Sequence, residues 1–258
     1  MKKNTYIQEK DGYKIAYRPK TSDEQAIKKL SLTSSKLIDP FYQIERDDTI
    51  IMVGGYIGFV TIYTSSKASK GKVYSIEPNK ENFELLKINI EQNNIKNVIL
   101  DNYAISDFNG DIKLYLDDNL VGHSITDSHL NKYEIVKSIS LNNYFEKRNI
   151  KKCDLIAMNC EGAEFDVIKN TTSDCFDKIK NMIISYHLDK AKNQSINIIT
   201  DKLKDNNYKV FILRRRKNRG LIIAYKRPCG NRVKFYYKNY IFYVKNKIFR
   251  KIKKVLFK

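Results

Sequence analysis

An α/β fold around a mostly parallel sheet is expected of this chain on three grounds. Short β-branched apolar runs alternate with stretches of helical spacing from Thr49 to Leu100, the pattern of strands joined by crossover helices. The first run, Thr49 to Val53, is continuously apolar after its first residue, as a strand covered on both faces must be. It ends in glycines at 54, 55 and 58 before a helical pattern begins at Phe59, giving a strand, a tight turn and a helix in succession.

Residues 1–48 are of mixed polarity and read as an N-terminal cover on the sheet. Ser22 or Asp23 is placed to cap a short helix running through Leu32. Asp39-Pro40 breaks the chain, and Phe41-Tyr42 leads into the first core strand. Strand, helix, strand, helix, strand then follow, with helices over 59–69 and from about Asn79, and strands over 72–76 and 95–100. Alternation of this kind implies right-handed crossovers. Asn109-Gly110 lies between two alternating runs and predicts a hairpin. A polar loop over 119–132 follows, then a strand over 133–139 and a helix over 140–148. Further strands are expected at 155–158 and 179–186, and a helix at 193–205. Lys209–Leu213 and Leu221–Tyr225 flank a basic turn and read as an antiparallel hairpin closing one edge.

The glycine turn is suited to a nucleotide. Glycine admits tight turns and close backbone approach, and a new helix offers unpaired N–H groups. The next strand ends in Glu77-Pro78, about 20 residues on, where a carboxylate can accept from both ribose hydroxyls. Asp101 or Asn102, at the end of the third strand, is placed to meet an adenine amino group or to serve as a turn residue. Asn159, Glu161 and Glu164 follow a central strand, at the crevice where such sheets take ligands. His187 just follows another strand, and His123 lies in the polar loop.

Composition narrows the classes. The chain has 258 residues, enough for one large core with additions. It contains no long uncharged apolar run, so no spanning helix is expected, and its first residues lack a secretory signal's apolar centre. Four scattered cysteines and three histidines complete no zinc spacing, so a reduced cytoplasmic chain without a structural metal is expected. The net charge of +19 is uneven. Through Asp205 there are 30 Lys+Arg and 29 Asp+Glu, whereas residues 206–258 carry 18 basic residues and no acidic one. Residues 227–258 interleave those charges with aromatics and then with apolar residues at helical spacing. The tail reads as a basic amphipathic helix that meets an anionic membrane surface, peripheral to it, or docks on its own domain. Nucleic acid is disfavoured, because no RNA-binding module signature is present.

Four stretches together resemble the FkbM-type methyltransferase family: the glycine loop at 52–58, Glu77-Pro78 with Asn82 and Leu86, Asn102-x-Ala104-x-Ser106 with Gly110, and Glu161-Gly162-Ala163-Glu164. The resemblance spans about residues 41–226. It implies a Rossmann-like class I methyltransferase domain, taken as 49–226, with a seven-stranded sheet, a terminal antiparallel strand and helices on both faces. It implies S-adenosylmethionine as cofactor, held by Gly54, Gly55, Tyr56, Gly58, Glu77, Pro78, Asp101 or Asn102, and Asn159. The acceptor it implies is a hydroxyl of a sugar, glycan or small metabolite, with no metal assigned. Its proton calls for a general base, for which His187 comes first, then His123, with Glu161 and Glu164 as alternatives. The pattern departs from the family where Met52 replaces Asp, Gly55 Ala and Tyr56 Asn. Further on, Ala157 and Asn159 replace Lys and Asp, and Ser185 stands where an acidic residue is common. A methyltransferase-fold binding or scaffold protein is therefore a second reading, and an RNA ribose methyltransferase a third.

Overall fold

The computed structural model describes residues 5–29, 32, 35, 37–118, 120–191, 193–214 and 216–226. The expected basic helix of 227–258, and Asn119 and Arg215 of the two polar loops, lie outside the described residues.

The chain opens with a two-stranded hairpin, β1 (Tyr6–Lys10) and β2 (Tyr13–Tyr17), followed by α1 (Ser22–Lys29). Neither Ser22 nor Asp23 precedes this helix as a cap, since both lie inside it. The Asp23 carboxylate instead accepts from the backbone N–H and the guanidinium of Arg18. Then come β3 (Thr49–Val53), α2 (Phe59–Lys67), β4 (Lys72–Ile76), α3 (Lys80–Glu91) and β5 (Val98–Asp101). Three further strands, β6 (Ala104–Ser106), β7 (Gly110–Tyr115) and β8 (Tyr133–Ser140), precede α4 (Leu141–Lys147) and β9 (Leu155–Met158). The chain continues through α5 (Glu164–Asn170), α6 (Ser173–Asp177), β10 (Asn181–His187), α7 (Ile196–Asp205), β11 (Tyr208–Arg214) and β12 (Arg219–Lys226).

Seven strands form the main sheet in the order β11-β12-β10-β9-β3-β4-β5. β10, β9, β3, β4 and β5 are mutually parallel, and β12 runs antiparallel between β10 and β11. The expected closing hairpin forms, with its second strand inserted into the sheet and its first at the edge. Side chains alternate across the sheet. Ile51, Val53, Ile156, Met158 and Ile184 pack on one face with residues of α4, α5, α6 and α7. Ile50, Met52, Leu155, Ala157 and Ile183 pack on the other with Tyr63 of α2 and with Ile38, Phe41 and Tyr42. The N-terminal hairpin and α1 pack separately on α2 and α3, with Ile15 and Ile27 clustered against Ile62, Leu86 and Ile90. Asn89 of α3 pins it there, accepting from Ala16 N at 2.6 Å and donating to Ala16 O at 3.0 Å.

Asn109-Gly110 does not make a hairpin between its neighbours. β6 and β7 lie on opposite sides of β8 in a three-stranded sheet, β6 parallel to β8 and β7 antiparallel. The Asn109 side chain instead accepts from Ser140 N at 2.9 Å. The turn signal is local, whereas the pairing is decided by a strand that arrives more than twenty residues later.

Candidate active site

The glycine turn takes its shape from packing as much as from any ligand. Gly54 has φ 88°, and a Cβ there would stand 2.2 Å from the carbonyl oxygen of Asn159. Gly58 has φ 101°, and its Cβ would stand 2.9 Å from Leu86 Cδ1. Gly54 N and Gly55 N both donate to Ile76 O at 2.9 Å, which binds the turn to the tip of β4.

Glu77 follows that tip and is buried. Its Oε2 accepts from Tyr56 N at 2.9 Å; its Oε1 accepts from Asn79 N at 3.1 Å and, at a long 3.5 Å, from Asn82 Nδ2. A carboxylate has about four acceptor sites, so one remains, on Oε2. Burial pushes the Glu77 carboxyl up to about 7, against the pull of the Tyr56 and Asn79 N–H groups, Asn82 and the Arg18 charge.

A cavity of about 810 Å³ lies along the carboxyl ends of the parallel strands, within the roughly 300–1,000 Å³ of small-molecule sites. Gly54, Gly55, Tyr56, Glu77, Pro78, Asn159, Glu161 and His123 line it. Lys10, Asp11, Ala26 and Leu37 from the first 48 residues also line it. So do Met52, Ala157 and Ser185, from the ends of three neighbouring strands. Met52 and Ala157 are register partners, Ala157 partners Ile183, and Ser185 follows two residues further along β10.

The other expected site residues are engaged elsewhere. Asp101 is buried, and its carboxylate accepts from Tyr144 Oη at 2.8 Å, from Arg148 Nε at 2.8 Å and from the second guanidinium nitrogen, Nη2. The hydrogen bond to Asp101 holds the Arg148 pKa above its ordinary value. Asn102 donates to Glu77 O at 2.8 Å and Pro78 O at 2.9 Å, bracing the turn into α3. Neither lines the cavity, and nor does Gly58.

The two candidate histidines lie differently with respect to the cavity. His187 is buried and does not line the cavity, with its Nε2 3.3 Å from Glu161 Oε1 and its Nδ1 3.3 Å from Glu164 Oε1. Glu164 Oε1 also accepts from His187 N at 2.6 Å, and Glu164 Oε2 from Gly162 N at 2.9 Å. His123 lines the cavity. Its Nδ1 accepts from Asp117 N at 3.0 Å, which assigns the ring proton to Nε2. Burial, then the Arg18 charge, pull its pKa below the usual histidine value.

Two partners of Glu161 carry no sequence signal. Lys190 Nζ lies 3.3 Å from Glu161 Oε2, and Arg219 Nη1 3.9 Å from the same oxygen. Lys190 also donates to Gly122 O, and Ser124 Oγ donates to Glu161 O at 2.6 Å, fastening the loop that carries His123. Among the described residues, no group of three or more His, Cys, Asp and Glu is arranged to hold a metal ion, and no helix is long and apolar enough to cross a membrane.

A sheet in this order, with a glycine turn after a central parallel strand, has the Rossmann-like architecture of class I methyltransferases, and a family match makes the chain an S-adenosylmethionine-dependent methyltransferase. The family model described as "Methyltransferase FkbM domain" matches residues 53–210. The chain belongs to that family. It is also similar to "Methyltransferase 1" of Beauveria bassiana (strain ARSEF 2860), 23% identical over a 172-residue alignment, with 57% of this chain and 69% of that protein covered. Among solved structures, M. jannaschii TYW2 in complex with AdoMet is 13% identical, with 87% of this chain and 85% of that one covered, at a TM-score of 0.46. The Methanococcus jannaschii fibrillarin pre-rRNA processing protein is 14% identical, with coverage of 87% and 83% and the same score. Likenesses at that level carry no argument about substrate.

Proposed function

We propose that this chain transfers a methyl group from S-adenosylmethionine to a hydroxyl of a sugar, glycan or small metabolite. The observation that carries the reading is Glu77, a buried carboxylate on the cavity wall, joined to the glycine turn and keeping one acceptor site unused. That capacity fits a ribose hydroxyl. Gly54 to Tyr56 and Asn159 would hold the remainder of the cofactor. Bound cofactor supplies an activated methyl carbon, and the protein contributes alignment and a proton acceptor.

Of the candidate bases, Glu161 and His123 reach the cavity. His123 presents a protonated Nε2, which suits it to orient the acceptor oxygen. Glu161 is then the group that takes the hydroxyl proton. His187 and Glu164 position Glu161 from behind.

A catalytically silent binding protein is the second reading. Met52, Ala157 and Ser185 bring no charged group to the cavity from three adjacent strand ends, so that part of the site offers little to polarise an acceptor. Two measurements separate the readings. Calorimetric titration with S-adenosylhomocysteine tests the cofactor site. Incubation with methyl-labelled S-adenosylmethionine and a panel of sugars and polyols tests transfer. Binding with transfer supports the enzyme; binding without transfer to any acceptor supports the binding protein.

A further inference from the structure

We infer that the N-terminal hairpin and helix, outside the span matched by the family model, are a working part of the cofactor site, with Arg18 and Asp23 as the residues that position Glu77. This rests on the cofactor reading above. Five side chains and one backbone N–H close a ring of hydrogen bonds. Arg18 donates to Asp23 twice, from Nε at 2.7 Å and Nη2 at 3.0 Å. Tyr56 Oη donates to the same carboxylate. Tyr56 N donates to Glu77 Oε2 at 2.9 Å. Glu77 Oε1 accepts from Asn82 Nδ2 at 3.5 Å, and Asn82 Oδ1 accepts from Arg18 Nη2 at 2.6 Å, which returns the ring to its start.

The physical content lies in what each link fixes. Tyr56 has φ 50°, a backbone state unusual for a tyrosine. Its hydroxyl is tied to Asp23 and lies 3.2 Å from Ser22 Oγ. That tie holds the residue whose N–H must point at Glu77. On the other side, Arg18 fixes the flip of the Asn82 amide, so that Nδ2 faces Glu77 and also reaches Leu120 O at 3.3 Å. An Arg–carboxylate fork is directional as well as charged, so both arms have defined geometry. Asp23 and Asn82 are buried, so the links are shielded from water.

Linkage makes the device reciprocal. A ligand that needs Glu77 ionised and aimed must favour the ordered hairpin and helix, and that segment must in turn raise the ligand's affinity. Arg18 also acts by charge, because its guanidinium favours ionised Glu77. Among the residues that hold Glu77, Arg18 is paired with Asp23 and lies 3.8 Å from Glu81, Tyr56 donates to Asp23, and Asn79 Nδ2 donates to Glu134 at 2.7 Å.

The test uses the full chain and S-adenosylhomocysteine, by calorimetry from pH 5.5 to 8.5. Wild type is titrated first; no binding there removes the cofactor reading itself. Given wild-type binding, Arg18→Gln is expected to weaken affinity about tenfold and to move upward the pH below which affinity is lost. Arg18→Lys restores the charge and brings that pH back towards wild type, while affinity recovers only in part because the fork is missing. Tyr56→Phe removes one hydroxyl and weakens binding severalfold. Hydrogen exchange adds a readout that a merely structural role would not move: the ligand slows exchange in residues 13–29 of wild type and does so less in Arg18→Gln and Tyr56→Phe. Should Arg18→Gln fail to fold, Tyr56→Phe and the exchange data decide alone. Wild-type affinity and an unmoved pH profile in the variants, with exchange in 13–29 indifferent to ligand, overturn the inference.

Discussion

Tyr56 and Glu77 are joined by a 2.9 Å hydrogen bond from the tyrosine's backbone N–H to the carboxylate's Oε2. The bond makes the shape of the glycine turn and the charge at the tip of β4 depend on each other.

The pH dependence of apo stability comes first. Folding raises the Glu77 carboxyl from its ordinary range to about 7, so the folded protein holds this proton where the unfolded chain has released it. The group's contribution is therefore most favourable at low pH. It declines as pH rises from the ordinary carboxylate range of ~4.3 towards about 7, and stays reduced above that. Thermal unfolding of wild type and Glu77→Gln between pH 5 and 8 is expected to converge at the acid end, with wild type losing relative stability towards pH 8.

Ligand binding carries the opposite sign. An ionised carboxylate is the better acceptor for hydroxyl donors, so binding near neutral pH should release a proton. Calorimetric titration in two buffers of different ionisation enthalpy, at pH 6.5, is expected to report a fractional release that vanishes in Glu77→Gln.

Gly54→Ala is expected to destabilise by on the order of 3 kcal/mol, since it combines a left-handed backbone with overpacking. The new Cβ would sit 2.2 Å from the Asn159 carbonyl oxygen, at φ 88°. Urea unfolding of the variant measures it, and a change under ~1 kcal/mol would mean that the turn relaxes.

Asp101→Ala separates a clamp from an adenine contact. The carboxylate holds Tyr144 of α4 and Arg148 just past its end, so its removal is expected to cost about 2–3 kcal/mol of stability while leaving affinity for S-adenosylhomocysteine nearly unchanged. Lost affinity with intact stability would return Asp101 to the ligand.

Much of this was legible in the sequence because the signals were local and redundant. Thr49–Val53 is apolar on both alternating sets, and only a central strand needs that. The glycines and Glu77-Pro78 lie where a strand tip meets a helix start, so Glu77 could be placed beside the glycine turn before any contact was known. What was missed depends on distant chain. Asn109-Gly110 looks like a hairpin turn until β8 arrives between its flanks. Arg18 and Asp23 sit in a segment of unremarkable composition, and only the docking of the hairpin on Asn89 brings them to Tyr56 and Asn82. His187 ends β10 with a glutamate at each ring nitrogen, contacts that no local pattern announces. Lys190 and Arg219 reach Glu161 from separate elements, with no shared spacing to announce them.

The most direct test of the central claim is calorimetric titration of S-adenosylhomocysteine into the full-length wild-type chain and into Glu77→Gln at pH 7.5. Wild type should bind, and the variant should bind roughly ten- to a hundredfold more weakly, as the loss of hydrogen bonds to a charged acceptor requires. No binding to wild type, or equal affinity in the two proteins, would contradict the account.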